Sequence, residues 1–230
     1  MDGSGTLFED FAAALERLRP QLRLLVMPYP PERPLSYAEL EALVVERLPI
    51  DQTYAVLGES FSGPIAMAIA ARRPAGLCEL ILCCTFARTP VRWLRPFAFL
   101  LKWLPLRRLP DWLPRRLLLE RGSSKELEHS LHQALAPLAA ATLGARLAAV
   151  LRVDYRAQLA RVRVPTLYLR AARDRLIAHD VAPQLRQILP DLEIADFATP
   201  HLLLQSAPHQ AAARVAGFLD AINVAAPAHG

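Results

Sequence analysis

Apolar residues in this chain follow two rhythms that alternate along its length. Phe8, Phe11, Leu15 and Leu18 recur at helical spacing and predict an amphipathic helix with one buried face. Ser4 or Thr6 is placed to cap it. Leu22 to Met27 is instead a short apolar run with a single arginine, ending at Pro28, which is the pattern of a buried strand. The proline-rich link Pro28 to Pro34 excludes regular structure. Tyr37 to Leu48 is again helical, with Ser36 as N-cap and Glu39 completing a capping box, and Pro49 ends it. A strand Thr53 to Leu57, a turn, a helix Gly63 to Arg73 and a strand Leu80 to Cys84 follow.

From Arg88 to Tyr155 the strand rhythm stops. Apolar and basic residues alternate at helical spacing, interrupted by Pro90, Pro96, Pro105, Pro110, Pro114 and Pro137. This predicts short helices inserted after a strand: a cap over residues 88–155, with 1–87 and 156–230 forming the core. A helical layer packed on that core is the alternative. Strand and helix then resume as Val164 to Leu169, Asp180 to Ile188, Leu192 to Phe197 and a last helix from Ala207 to Ile222. Short links between alternating strands and helices indicate an α/β fold, a mostly parallel sheet covered on both faces.

Composition narrows the class. At 230 residues and 53% apolar content, the chain can bury one sizeable core. Three cysteines, two of them adjacent at Cys83 and Cys84, do not make a disulfide framework and suit a reducing compartment. No basic stretch precedes an apolar signal core, and charges or prolines interrupt every run before membrane-spanning length. The expectation is a soluble, cytoplasmic protein. No zinc-site spacing of Cys and His is present, and neither a cofactor nor a nucleic-acid partner is expected. The net charge of +5 is unevenly placed: Arg88 to Arg121 holds nine basic residues against Asp111 and Glu120, a local +7.

The candidate chemistry starts at Leu57-Gly58-Glu59-Ser60-Phe61-Ser62-Gly63-Pro64. A strand leads in and a small-residue helix leads out, the context in which a G-x-S-x-G-like motif lifts a serine above a sheet edge. Gly58 and Ser62 keep the flanking places small; Ser62 itself fits worse, because Pro64 stands two places on. A plain Gly/Ser turn capping a helix is the competing interpretation. A serine hydroxyl needs a base, usually histidine, oriented by a carboxylate. Asp174 follows the strand Val164–Leu169, and His201 follows Leu192–Phe197. Both therefore exit strands on the sheet edge that carries Ser60, in the order Ser, Asp, His. Asp174, between Arg173 and Arg175, could instead be a surface ion pair, and His201 an ordinary loop histidine. His129, His132, His179 and His209 are rival bases, and Asp196 is the reserve acid. The amide of Phe61, at the helix start, is the expected first donor to an oxyanion. Glu59 either hydrogen-bonds within the site or faces solvent.

With these residues assembled, the chain resembles the α/β-hydrolase superfamily. The resemblance rests on Gly58 to Gly63, on Val164-Pro165-Thr166-Leu167-Tyr168-Leu169 with Asp174, and on Pro200-His201-Leu202-Leu203. The opening Met1-Asp2-Gly3-Ser4-Gly5-Thr6-Leu7-Phe8 is similar to the loop that in many members supplies the second oxyanion donor, which maps to Met1 or Asp2. Similar openings occur in bacterial esterases and in plant plastid enzymes of the esterase/acyltransferase type. The resemblance implies ester or thioester chemistry through an acyl-enzyme.

In that fold the strand before this loop lies mid-sheet, between the runs Leu22–Met27 and Thr53–Leu57. Met1 falls after that strand. Two expectations follow: a start lying further upstream, or direct pairing of those two strands.

The expected function is a serine hydrolase of carboxylic esters or thioesters, with Ser60, Asp174 and His201 as triad. An acyltransferase on the same triad and a catalytically impaired binding protein remain open. Trp93, Phe97, Phe99, Trp103 and Trp112 suggest an apolar acyl or alcohol group. The +7 segment suggests an anionic acyl carrier, coenzyme A or an acidic membrane surface; a solvated basic helix face explains it equally well.

Overall fold

The computed structural model describes residues 3, 5–90, 112–120 and 123–225. Met1, Asp2, Trp93, Phe97, Phe99 and Trp103 lie outside that set. In chain order the elements are α1 (Glu9–Leu18), α2 (Tyr37–Val45), β1 (Tyr54–Glu59), α3 (Gly63–Arg72), β2 (Leu77–Cys83), α4 (Trp112–Leu118), α5 (Lys125–Leu135), α6 (Ala140–Arg152), α7 (Arg156–Leu159), β3 (Thr166–Ala171), α8 (Val181–Ile188), β4 (Glu193–Phe197), α9 (Leu203–Ser206) and α10 (Pro208–Ala225). Single 3₁₀ turns cover Thr6–Phe8 and Ser60–Ser62.

The four strands form one parallel sheet in the order β1-β2-β3-β4. Parallel neighbours need long crossovers, which α3, the 88–155 segment with α7, and α8 provide in turn. Side chains alternate between two cores with the strand period of two. On β2, Leu80 and Leu82 face one core, while Ile81 and Cys83 face the other. The first core takes Leu40 and Val44 of α2, Ile65 and Ile69 of α3, and Leu185 of α8. The second takes Phe11 and Leu15 of α1 and Val215 and Phe218 of α10. In the second half of β2 the burial is complete: Leu80, Leu82 and Cys83 are 0% exposed.

The register aligns the strand exits. Glu59 stands opposite Cys83, Cys83 opposite Leu169, and Ala171 opposite Phe197. Ser60, Asp174 and His201 all follow those ends, so the chain delivers them to a single edge of the sheet.

The capping box expected on α2 is present. Ser36 Oγ accepts from the Glu39 amide, and the Glu39 carboxylate accepts from the Ser36 amide at 2.8 Å. The last helix, expected from Ala207 to Ile222, is α10, and the short α9 precedes it. Leu22–Met27 is a correction: it is not a strand. Leu22 and Leu24 pack partly on one core and Met27 on the other, but Leu25 is 57% and Val26 43% exposed. Its apolar content does bury alternate side chains, yet a strand requires a backbone neighbour, and among the described residues it has none. It does not pair with β1, so direct pairing of the two runs is not what the chain does. Among the described residues β1 pairs with β2 alone.

The segment after β2 leaves and returns at one place. Arg88 and Asp154 form an antiparallel bridge, the Thr89 amide donates to the Val153 carbonyl at 3.1 Å, and the Tyr155 amide donates to Ala87 at 2.6 Å. Where described, the segment is helical. Leu119 and Leu131 pack on Leu202, and the Leu202 amide donates to the Leu118 carbonyl at 3.3 Å. Among the described residues no single helix is long and apolar enough to cross a membrane.

Candidate active site

The turn after β1 is built by close approach. A Cβ on Gly58 would lie 2.8 Å from both the Ala66 Cβ and the Ser62 carbonyl oxygen, and one on Gly63 would lie 1.9 Å from Thr85 Oγ1. Only hydrogen fits at either place, so the chain can turn sharply between β1 and α3. Ser60 at the turn has φ 51°, a left-handed conformation that an L-residue adopts at a cost. Thr85, two residues past β2, holds it there: its hydroxyl donates to the Ser60 carbonyl at 2.6 Å. Pro64 sits in the first turn of α3, where a missing N–H costs nothing.

The three sequence-predicted side chains are brought together. Ser60 Oγ lies 2.8 Å from His201 Nε2, and His201 Nδ1 lies 2.7 Å from Asp174 Oδ2. The other Asp174 oxygen accepts from the Leu176 and Ile177 amides at 2.8 and 2.9 Å. Both of its oxygens are thereby committed, which fixes the carboxylate and, through it, the imidazole. The His201 and Asp174 side chains are 1% and 3% exposed, so the pair works away from bulk water, where such bonds are stronger.

The competing explanations separate cleanly. Arg173 bonds to Glu120 at 3.1 Å and to the Ala198 carbonyl, and Arg175 donates to the Arg116 carbonyl at 2.9 Å. Asp174 therefore turns inward while its neighbours turn outward. Asp196 forms a two-pronged pair with Arg170, which holds its carboxyl below the usual carboxylate range and away from His201. His129, His132, His179 and His209 are exposed. Met1 and Asp2 lie outside the described residues.

Phe61 is 1% exposed, stacked on Tyr37 with ring centroids 4.7 Å apart. Its burial anchors the helical turn whose first amides follow Ser60. Glu59 is buried rather than facing solvent. Its carboxylate accepts from Gln205 Nε2 at 3.0 Å, and Cys83 Sγ lies 3.8 Å away. Burial pushes the Glu59 carboxyl above its usual value, an effect that the Gln205 bond and nearby His201 partly offset. Among the described residues, no group of three or more His, Cys, Asp or Glu is placed to hold a metal ion.

Sequence reasoning missed four contributors: Thr85, Tyr29, Arg146 and Gln205. Tyr29 donates to Ser62 Oγ at 3.0 Å, and Arg146 is 1% exposed beside Tyr29 and Phe61. Arg146 did leave a signal, as the single charge in the otherwise apolar run Leu143 to Leu151. A charge there either faces water or is held inside for a reason.

Comparison with known proteins bears on the family and the fold. The sequence pattern of the serine aminopeptidase S33 family matches residues 38–199, which span Ser60 and Asp174. A hydrolase from Oleispira antarctica superposes with a TM-score of 0.81 at 16% identity, over 96% of this chain and 88% of its own. An esterase from Exiguobacterium antarcticum gives 0.80 at 15%, over 95% and 88%. An enol-lactonase from Burkholderia xenovorans gives 0.75 at 17%, also over 95% and 88%. At these identities the likeness is one of fold. No sequence among curated proteins matches. The family pattern covers most of the chain, and the superposed folds are those of hydrolases: the chain belongs to the serine aminopeptidase S33 family of the α/β-hydrolase superfamily.

Proposed function

We propose that this protein is a serine hydrolase that cleaves carboxylic esters or thioesters through an acyl-enzyme on Ser60. The observation that carries this reading is the unbroken line from Ser60 Oγ through His201 to Asp174, at 2.8 and 2.7 Å. Ser60 Oγ attacks the carbonyl carbon while His201 Nε2 takes its proton. Asp174 holds the imidazole with Nδ1 protonated and balances the charge that forms. The carbonyl oxygen becomes an oxyanion, received by the Phe61 amide and by a second donor on the opening loop at Met1 or Asp2. His201 returns the proton to the leaving alkoxide or thiolate. It then activates a water that releases the acid and frees Ser60.

The segment 88–155 is the cap over this site. The narrow neck at Arg88 and Asp154 and the packing of Leu119 and Leu131 on Leu202, next to His201, support that role. It supplies the apolar surface for an acyl or alcohol group, with Trp112 59% exposed on it. Its basic residues suit an anionic acyl carrier or an acidic membrane surface. The three free thiols at Cys78, Cys83 and Cys84 accord with a cytoplasmic home.

A fluorophosphonate probe tests the nucleophile: it should label wild type and leave Ser60→Ala unlabelled. A panel of p-nitrophenyl acyl esters, acyl thioesters and aminoacyl p-nitroanilides then fixes the bond cleaved. Labelling with turnover of the anilides alone would replace the ester reading with a peptidase one. Ester products transferred to an added alcohol in preference to water would make the protein an acyltransferase.

A further inference from the structure

Helix α6 buries an arginine. Arg146 lies one turn from Thr142 on a buried side of α6, and it is 1% exposed. Placing a guanidinium there removes it from water at considerable cost, so its surroundings must return what the solvent gave. The surroundings are specific. Its carbon Cζ stands 5.9 Å from the ring centroids of both Tyr29 and Phe61, within cation–π range of each. Its Nη2 donates to the Pro30 carbonyl at 3.1 Å. Its Nη1 lies 3.0 Å from where a Cβ on Gly3 would be, so the guanidinium rests against the opening loop.

Tyr29 makes the matching set of contacts. Its amide donates to the Gly3 carbonyl at 2.7 Å, and its hydroxyl donates to Ser62 Oγ at 3.0 Å. Its ring meets Phe61 edge to face at 6.3 Å. Gly3, at φ 71°, is thus clasped between Tyr29 and Arg146, and both of these rest on Phe61.

We infer that Arg146, acting with Tyr29, is a positioning residue of the oxyanion hole, fixing the Gly3 loop against the Phe61 turn. This rests on the serine-hydrolase reading of Ser60. The two donors to an oxyanion come from segments far apart in sequence, the opening loop and the start of α3. Their separation must be held to a fraction of an ångström for both to bond the same oxygen. Arg146 and Tyr29 each touch both Gly3 on the opening loop and Phe61 on the turn before α3. Because Arg146 arrives on α6, within the 88–155 segment, seating of that segment and assembly of the hole become one event.

The test compares wild type with Arg146→Met, Arg146→Lys and Tyr29→Phe, each assayed on a p-nitrophenyl ester. Active sites are titrated with a fluorophosphonate, so that kcat refers to functional sites only. Arg146→Met should lower kcat per titrated site, and the rate constant for Ser60 phosphonylation, by about 10- to 100-fold, with KM changed less than threefold. Arg146→Lys should fall between Met and wild type, and Tyr29→Phe should lose a few-fold. A merely structural arginine would reduce the titratable fraction and the thermal midpoint while leaving kcat per site within twofold; that result overturns the inference. A rise in KM alone overturns it too, because it would make Arg146 a substrate-binding group. Should Arg146→Met not fold, Arg146→Lys and Tyr29→Phe decide by the same criteria. Absence of Ser60 labelling in wild type overturns the hydrolase reading itself, whereas normal labelling with unchanged variants overturns this inference alone.

Discussion

Ser60 and Cys84 sit at the ends of adjacent strands, both with left-handed backbones, φ 51° and 44°. Such a conformation costs an L-residue about 1–2 kcal/mol, which glycine would avoid. Removing the hydroxyl while keeping the Cβ leaves the strain, so Ser60→Ala should abolish turnover, by about 10⁴-fold or more, with little change in stability. Ser60→Gly should be equally inactive but more stable than Ser60→Ala by about 1 kcal/mol, read from urea midpoints. Equal midpoints would mean that the turn carries no strain. Glu59 gives a second measurement. Its folded carboxyl titrates above its ordinary value of 4.5, so the folded state holds the proton where the unfolded chain has released it. Stability from this group is complete below the unfolded value and is lost as pH rises through the folded one. Glu59→Gln keeps a polar partner for Gln205 and removes the titration. The variant should therefore lose the part of the stability decline that wild type shows as pH rises from about 4.5 toward neutrality. Thermal midpoints taken across that range check it, and parallel curves for the two proteins would refute it.

At the scale of elements, β2 is the member on which both cores depend, since from Leu80 to Cys83 its side chains alternate between them and all are buried. Leu82→Ala should cost about 2–5 kcal/mol in urea unfolding, as expected for an emptied site that its neighbours cannot fill. A loss under 1 kcal/mol would show that the sheet collapses around the gap. The same dense packing explains what could be read before the structure was known. Strands β1 to β4 were legible as apolar runs bounded by turn residues, and Ser60, Asp174 and His201 as residues placed just beyond three of them. Leu22–Met27 carries the same apolar signal without being a strand, because composition reports burial of side chains and not the presence of a hydrogen-bonded neighbour. Thr85 and Arg146 were not legible as parts of the site. Their contacts to Ser60 and Phe61 span 25 and 85 positions of sequence, and only the folded chain brings them into range.

On the scale of the whole molecule, the sheet has one edge at β1 with, among the described residues, no neighbour beyond it. Alternate amides of a parallel strand point to opposite sides. Every second amide of Tyr54–Glu59 should thus exchange hydrogen rapidly while those facing β2 stay protected, a sawtooth that β2 itself should lack. Amide-resolved exchange by NMR would reveal it, and uniform protection along β1 would show that its outer edge is covered. The other global feature is the neck at Arg88 and Asp154, through which some sixty residues leave the core and return. A long excursion closed by one bridge adds little to the cost of folding the core, because loop-closure entropy grows only slowly with length. Residues between the two ends can therefore be lengthened, shortened or exchanged without re-registering any strand. If that segment is the cap we propose, such a joint would let its lining be rebuilt while Ser60, Asp174 and His201 stay where the sheet puts them.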